Sequence, residues 1–79
     1  MSIASQTLPI ELMNAGESGV VVDVSGRSDL VVRLEEMGLN AGVRIRMVRP
    51  GSPCILEVNQ HRISIRFDES ISVLVDVQS

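Results

Sequence analysis

One histidine, one cysteine, ten carboxylates and seven arginines carry most of the reactive chemistry this 79-residue chain could do. A nucleophile needs a base held against it to become a catalyst. The single histidine, His61, falls in a predicted turn, and no Cys–His, Ser–His–Asp or paired-carboxylate arrangement can be assembled around it. A metal site wants histidines and carboxylates converging from fixed elements. His61 and Cys54 lie seven positions apart, at opposite ends of a predicted strand, too far for one shared shell. Glu35 and Glu36 are neighbours on a predicted helix, so they point about 100° apart and do not chelate one ion together. We read no enzyme, no cofactor and no metal site.

The arginines offer a different chemistry, which is recognition. The formal net charge is −3 and there is no lysine. A mildly acidic chain lacks the footprint of a nucleic-acid binder. Yet Arg44, Arg46, Arg49, Arg62 and Arg66 crowd into the middle of the sequence. Arg44 and Arg46 alternate on one predicted strand and Arg62 and Arg66 on another, so each pair shares a sheet face. Two readings stand side by side: a solvated face paired with Glu57 and Asp68, or a docking patch for an acidic partner. Phe67 is the only aromatic residue. One ring cannot build a groove for proline-rich ligands or a stacking platform for single-stranded nucleic acid. Protein–protein interaction is what remains.

These residues must be positioned by short elements. Leu30, Leu34 and Met37 recur at i, i+4 and i+7 and line one face of a helix. Ser28 or Asp29 is its expected N-cap, and Asp29 and Arg33 are expected to pair on its outer face. Gly38 falls where the chain must turn left-handed to stop, and Leu39 where a Schellman cap folds back onto Leu34. Val20, Val22 and Val24 alternate with Val21 and Asp23 in a first strand. Val43 to Val48 forms the second, after Gly42. Pro50-Gly51-Ser52-Pro53 makes a turn, with two prolines that remove two strand donors. Ile55 to Val58 and Arg62 to Phe67 form a hairpin through Asn59-Gln60-His61, where asparagine tolerates positive φ. Asp68-Glu69-Ser70 is expected to make one helical turn, and Val73 to Val77 the last strand. Pro9 suits a first helical turn, with Ile10, Leu12 or Met13 packing as a short lid before Gly16.

The whole is mainly β: a small, strongly bent antiparallel barrel of about five strands with one inserted α-helix. It is one domain over residues 8–79, with Met1–Thr7 as a flexible tail. A lone cysteine excludes an internal disulfide and suits a reducing compartment. The N-terminus does not read as a signal peptide, and no apolar run approaches the roughly 20 residues that span a bilayer. A soluble chain is expected, brought to a membrane only by a partner.

The run Arg33-Leu34-Glu35-Glu36-Met37-Gly38-Leu39, followed by Gly42, resembles the FeoA family of bacterial ferrous-iron transport. The resemblance extends from about Leu12 to Val75. Asn14-Ala15-Gly16-Glu17 with Gly19-Val20-Val21 looks like the family's lead into its first strand. Pro50-Gly51-Ser52-Pro53, Ile55-Leu56-Glu57-Val58, Ile63-Ser64-Ile65-Arg66 and Val73-Leu74-Val75 follow its later strands. The chain departs from the family in placing Asn59-Gln60-His61 where members commonly have a small glycine-type turn.

The resemblance implies an SH3-like barrel and a cytoplasmic accessory protein that binds the membrane iron permease FeoB, with no direct membrane insertion. The candidate contact residues are Arg33, Met37, Gly38, Leu39, Arg44 and Arg46. Met37, Gly38 and Leu39 would form an apolar knuckle, with Asn40 and Ala41, and the arginine strands would orient the partner. Alternatively Met37 and Leu39 are core and cap residues, and Arg33 bridges the helix to neighbouring carboxylates. If the knuckle docks, Leu39→Asp should abolish binding and leave the fold intact; loss of the fold would favour the core reading. Two other functions follow from different features. One is a regulatory module of iron-dependent repressors acting in trans. The other is a small metal sensor or carrier with His61 and Cys54 as ligands, on one chain or across a self-associated dimer.

Overall fold

Alternating burial along short strands shapes the molecule. In the computed structural model, which describes residues 5–67 and 70–78, six strands form one antiparallel sheet. They are β1 (Ser5–Pro9), β2 (Ser18–Gly26), β3 (Arg44–Arg49), β4 (Cys54–Val58), β5 (His61–Ile65) and β6 (Ile71–Gln78). A nine-residue helix, α1 (Ser28–Glu36), lies between β2 and β3. The spatial order is β1-β6-β2-β3-β4-β5, so β1 and β5 are edges and the sheet is not closed. One face carries the core. Ile45 and Met47 of β3, Leu56 and Val58 of β4, and Val73 and Val75 of β6 are each no more than 2% exposed.

The strand beyond the expected five is β1. Ser5–Pro9 pairs with Gln78–Leu74 of β6, so Ser5 to Thr7 are strand rather than tail. Pro9 both ends that strand, at an edge position where a missing N–H is tolerated, and stands at the N-cap of the helical turn after it. A single 3₁₀ turn, Ile10–Leu12, follows. Of the expected lid, Ile10 and Met13 are core residues while Leu12 is exposed. Met1 to Ala4, and the turn expected at Asp68-Glu69, lie outside the described residues.

In β2 the register shifts between Val21 and Asp23 where it pairs with β6. The bulge takes up one residue and changes which side faces inward. Val21 is buried before it, Val22 is left exposed, and Val24 packs against the core after it. Strict alternation could not have shown that.

The stop of α1 follows the Schellman pattern. The Leu39 N–H donates to the Leu34 carbonyl at 3.0 Å, and the Gly38 N–H to the Glu35 carbonyl at 3.0 Å. Gly38 has φ +97°, which only glycine adopts without strain. A Cβ there would meet nothing closer than Val58 Cγ1 at 3.6 Å, so the strain is torsional and not steric. Gly38→Val should therefore cost at least about 1 kcal/mol. That corresponds to a fall in melting temperature of about 4–8 °C in a domain this small. An unchanged melting temperature would rule it out.

The start of the helix differs from expectation. Arg27 occupies the N-cap position without a side-chain capping bond. Instead its guanidinium reaches forward to Asp29, with Nη2 to Oδ2 at 2.9 Å. Asp29 is thus taken by Arg27 and not by Arg33. Desolvation pushes the Asp29 carboxyl up, but the hydrogen bond and charge of Arg27, together with backbone N–H groups of Leu30 and Asp29 itself, outweigh it and hold the group below its ordinary value.

Candidate functional site

Leu30, Arg33, Leu34 and Met37 follow one another along α1 within two turns, so all four lie on one face of the helix. That face looks onto the end of β5 and the start of β6. Between them lies a groove of about 230 Å³, lined by Leu30, Arg33, Leu34, Met37, Ser64, Ile65, Arg66 and Ile71. Its floor is apolar. Leu34, Ile65 and Ile71 are buried, Leu30 is half-buried, and Met37 keeps 38% of its surface in solvent. Arg33 and Arg66 are exposed beside it, and neither forms an ion pair with a described residue. The arrangement offers apolar contact beside two positive charges.

The six candidate residues divide between three places. Arg33 and Met37 line the groove. Gly38 is the cap. Leu39 is fully buried at 0% exposure, so it supplies no contact surface, and the expected knuckle reduces to Met37. Its burial follows from the cap itself, which turns the residue after the glycine back onto the helix.

Arg44 and Arg46 lie elsewhere, around a shallow depression with Ser18, Ile45, Glu57 and Asn59. They do not meet Arg62 of β5 directly, because β4 runs between the two strands. Glu57 stands in register between Arg46 and Arg62. Arg46 Nε reaches Glu57 Oε1 at 3.4 Å in an exposed pair. Such pairs contribute about 0–1 kcal/mol. The supposed basic patch is here a mixed, solvated face.

Cys54 and His61 sit at opposite ends of the β4–β5 hairpin, opposite Ile65 and Val58 respectively. Four residues of strand separate them, roughly 13 Å. Cys54 is buried, and burial pushes its thiol above the ordinary range, so little thiolate is present to attack or to bind metal. Among the described residues no three His, Cys, Asp or Glu side chains come together as a metal site.

Reasoning from the sequence missed Ser64, Ile65 and Ile71 on the opposite wall of the groove, and grouped Arg66 with the arginines of the other strands rather than with α1. The period-two pattern of Arg62–Phe67 marked a strand, but nothing local told that it is an edge lying beside α1.

A family model described as the FeoA domain matches residues 8–77. The chain belongs to the FeoA family. A crystal structure of the iron uptake regulatory protein FeoA, solved by sulfur SAD, superposes with a TM-score of 0.82 at 27% identity, covering 91% of this chain and 99% of that one. FeoA from Stenotrophomonas maltophilia complexed with zinc, described as a procaryotic SH3 domain protein, gives 0.75 at 28% identity, with 87% and 89% covered. FeoA from Chlorobium tepidum shares the fold, with a TM-score of 0.79 at 23% identity over 89% of this chain and 70% of that one. Among curated proteins none matches the sequence. This FeoA-family chain is therefore a mainly β, SH3-like protein linked to ferrous-iron transport, as its resemblance implied. Among its described residues no helix is long and apolar enough to cross a membrane.

Proposed function

We propose that this FeoA-family chain acts in the cytoplasm as an accessory protein of ferrous-iron uptake, binding the cytosolic part of the permease FeoB. The observation that carries the reading is the groove between α1 and β5, an apolar floor with Met37 half open and Arg33 and Arg66 alongside. An interface of this kind draws its energy from a few buried anchors and its orientation from flanking charge. Arg33 and Met37 contact the partner. Gly38 and Leu39 hold the helix that presents them, and Arg44 and Arg46 steer the encounter from the neighbouring face. The role is binding and modulation of transport, not catalysis. S. maltophilia FeoA is described as a candidate activating factor of bacterial ferrous-iron transport, which accords with this.

The test is capture of solubilised FeoB by the purified protein, with ferrous iron and with chelator in parallel. Binding is expected under both conditions. Met37→Glu and Arg33→Glu, each shown to be folded by circular dichroism, should weaken capture about tenfold, equivalent to roughly 1.4 kcal/mol. Arg44→Glu should change mainly the salt dependence of association. Absence of capture, or capture indifferent to Met37 and Arg33, would overturn the reading. Capture that requires iron would return His61 and Cys54 to consideration as ligands.

A further inference from the structure

β5 pairs on one side only. In the order β1-β6-β2-β3-β4-β5 it is the last strand, and its partners are all in β4. Asn59 and Gln60 both have positive φ, at +50° and +68°, the conformation of a two-residue type I′ hairpin turn. Such a turn makes Val58 and His61 the closing hydrogen-bonded pair. Bonded and non-bonded pairs then alternate along an antiparallel ladder. His61, Ile63 and Ile65 direct their N–H and C=O groups to β4, while Arg62 and Ser64 turn theirs toward the free edge. Among the described residues no backbone group accepts or donates there.

The groove lies along that edge. Ser64, Ile65 and Arg66 all line it, although successive side chains of a strand point to opposite faces. Ser64 and Ile65 point to opposite faces of β5 and Arg66 lies just past its end, so a groove bordered by all three sits at the rim of the sheet beside the last residues of β5. The opposite wall is α1, through Leu30, Arg33, Leu34 and Met37. An unpaired strand edge therefore faces an apolar helix across an open gap.

We propose that this gap takes an extended protein segment as an added strand on β5, and that the segment alternates aliphatic and acidic residues. The inference rests on the partner-binding reading above and specifies how the partner's segment sits. Backbone bonds to Arg62 and Ser64 supply the pairing, and the alternation supplies the specificity. Every second side chain of the added strand enters the side of the sheet that Ile63 and Ile65 occupy, over Leu30, Leu34, Ile65 and Ile71. The intervening ones stand on the other side beside Arg62, Ser64 and Arg66. Acidic residues there meet the two guanidiniums of Arg62 and Arg66. Neither Arg62 nor Arg66 forms an ion pair with a described residue, so both guanidiniums are open to an acidic side chain of the added strand. A register slip of one residue would put the carboxylates over the apolar floor, so the pattern also fixes the register.

The probe is a blocked eight-residue synthetic peptide alternating isoleucine and glutamate, titrated into the intact ¹⁵N-labelled protein. Binding should slow hydrogen exchange at the Ser64 and Arg62 amides and shift the resonances of Leu30 and Leu34. Ser64→Pro removes the edge donor at a position where proline leaves the β4 ladder whole. It should keep the melting transition and weaken binding about tenfold, the loss of roughly one or two hydrogen bonds. Arg62→Glu together with Arg66→Glu should do the same, and a peptide with lysine in place of glutamate should bind least. Any of three results would overturn the proposal. The peptide fails to bind, binding leaves the Ser64 amide unprotected, or Ser64→Pro binds as well as the native protein. The permease experiment is separate. FeoB captured equally by native protein and by Ser64→Pro would overturn strand addition and leave partner binding standing. Peptide bound as described without capture of FeoB would do the reverse.

Discussion

Leu39→Asp is expected to unfold the protein. Leu39 is 0% exposed, and its backbone N–H closes the Schellman cap on Leu34. Truncating a buried leucine to alanine already costs about 2–5 kcal/mol. An aspartate there would also bury a carboxylate among Leu34, Ile45 and other aliphatic side chains of the same core. No described cation is buried with it to compensate. An unpaired buried charge adds several kcal/mol, or else the group must take up a proton to enter. A domain of this size has roughly 4–12 kcal/mol in all, at about 0.05–0.15 kcal/mol per residue. The substitution removes most or all of that. Circular dichroism at 25 °C should show loss of the strand signal, while Leu39→Met, which conserves volume, should cost less than about 1.5 kcal/mol. A folded Leu39→Asp with an unchanged melting temperature would return Leu39 to the surface as a contact residue. Because the variant is expected to unfold, its failure to bind FeoB would say nothing about the interface. Met37 and Arg33 are the residues to change for that purpose.

Much of this architecture is legible in the residues alone, and the parts that are not share a cause. The helix stop at Gly38-Leu39 is legible because a Schellman cap is a local motif: glycine for the left-handed turn, leucine for the return contact. The β4–β5 hairpin is legible because Asn59 tolerates positive φ between two alternating runs. The bulge at Val22 is not, since the register shift is set by pairing with β6, about fifty residues away in sequence. Nor is β1, whose Ser5-Gln6-Thr7 is polar and becomes strand only because β6 offers it an edge. The candidate site divides along the same line. Arg33 and Met37 are visible through the period of α1. Ser64 and Ile71 are not, and Arg66 is visible only as a charged strand residue, because only the strand order brings them opposite the helix.

Gly26→Ala should be the most damaging single methyl group that can be added at a glycine that joins two elements. Gly26 ends β2 opposite Ile71, and the next residue's N–H donates to the Ser70 carbonyl at 2.8 Å. Its φ is +131°. A Cβ there would overlap the Ser70 carbonyl oxygen and come within 2.8 Å of Ile71 Cα and 2.9 Å of Ser70 C. These are backbone atoms, which no rotamer change can move aside. Two costs therefore add: about 1 kcal/mol of torsional strain, and an overlap of the kind that costs about 1–3 kcal/mol in a packed interior. Gly38→Ala is the control, because it carries the torsional cost while its methyl makes only ordinary contact, 3.6 Å from Val58 Cγ1. Gly26→Ala should lower the melting temperature by at least twice as much, on the order of 10 °C or more. Equal shifts at the two positions would show that the β2–β6 junction gives way freely. The effect should also reach the groove. Ile71 lines it and α1 begins two residues after Gly26, so a junction forced apart moves both walls at once. At a temperature where Gly26→Ala remains folded, it should bind the alternating peptide more weakly than Gly38→Ala, although neither glycine touches the groove.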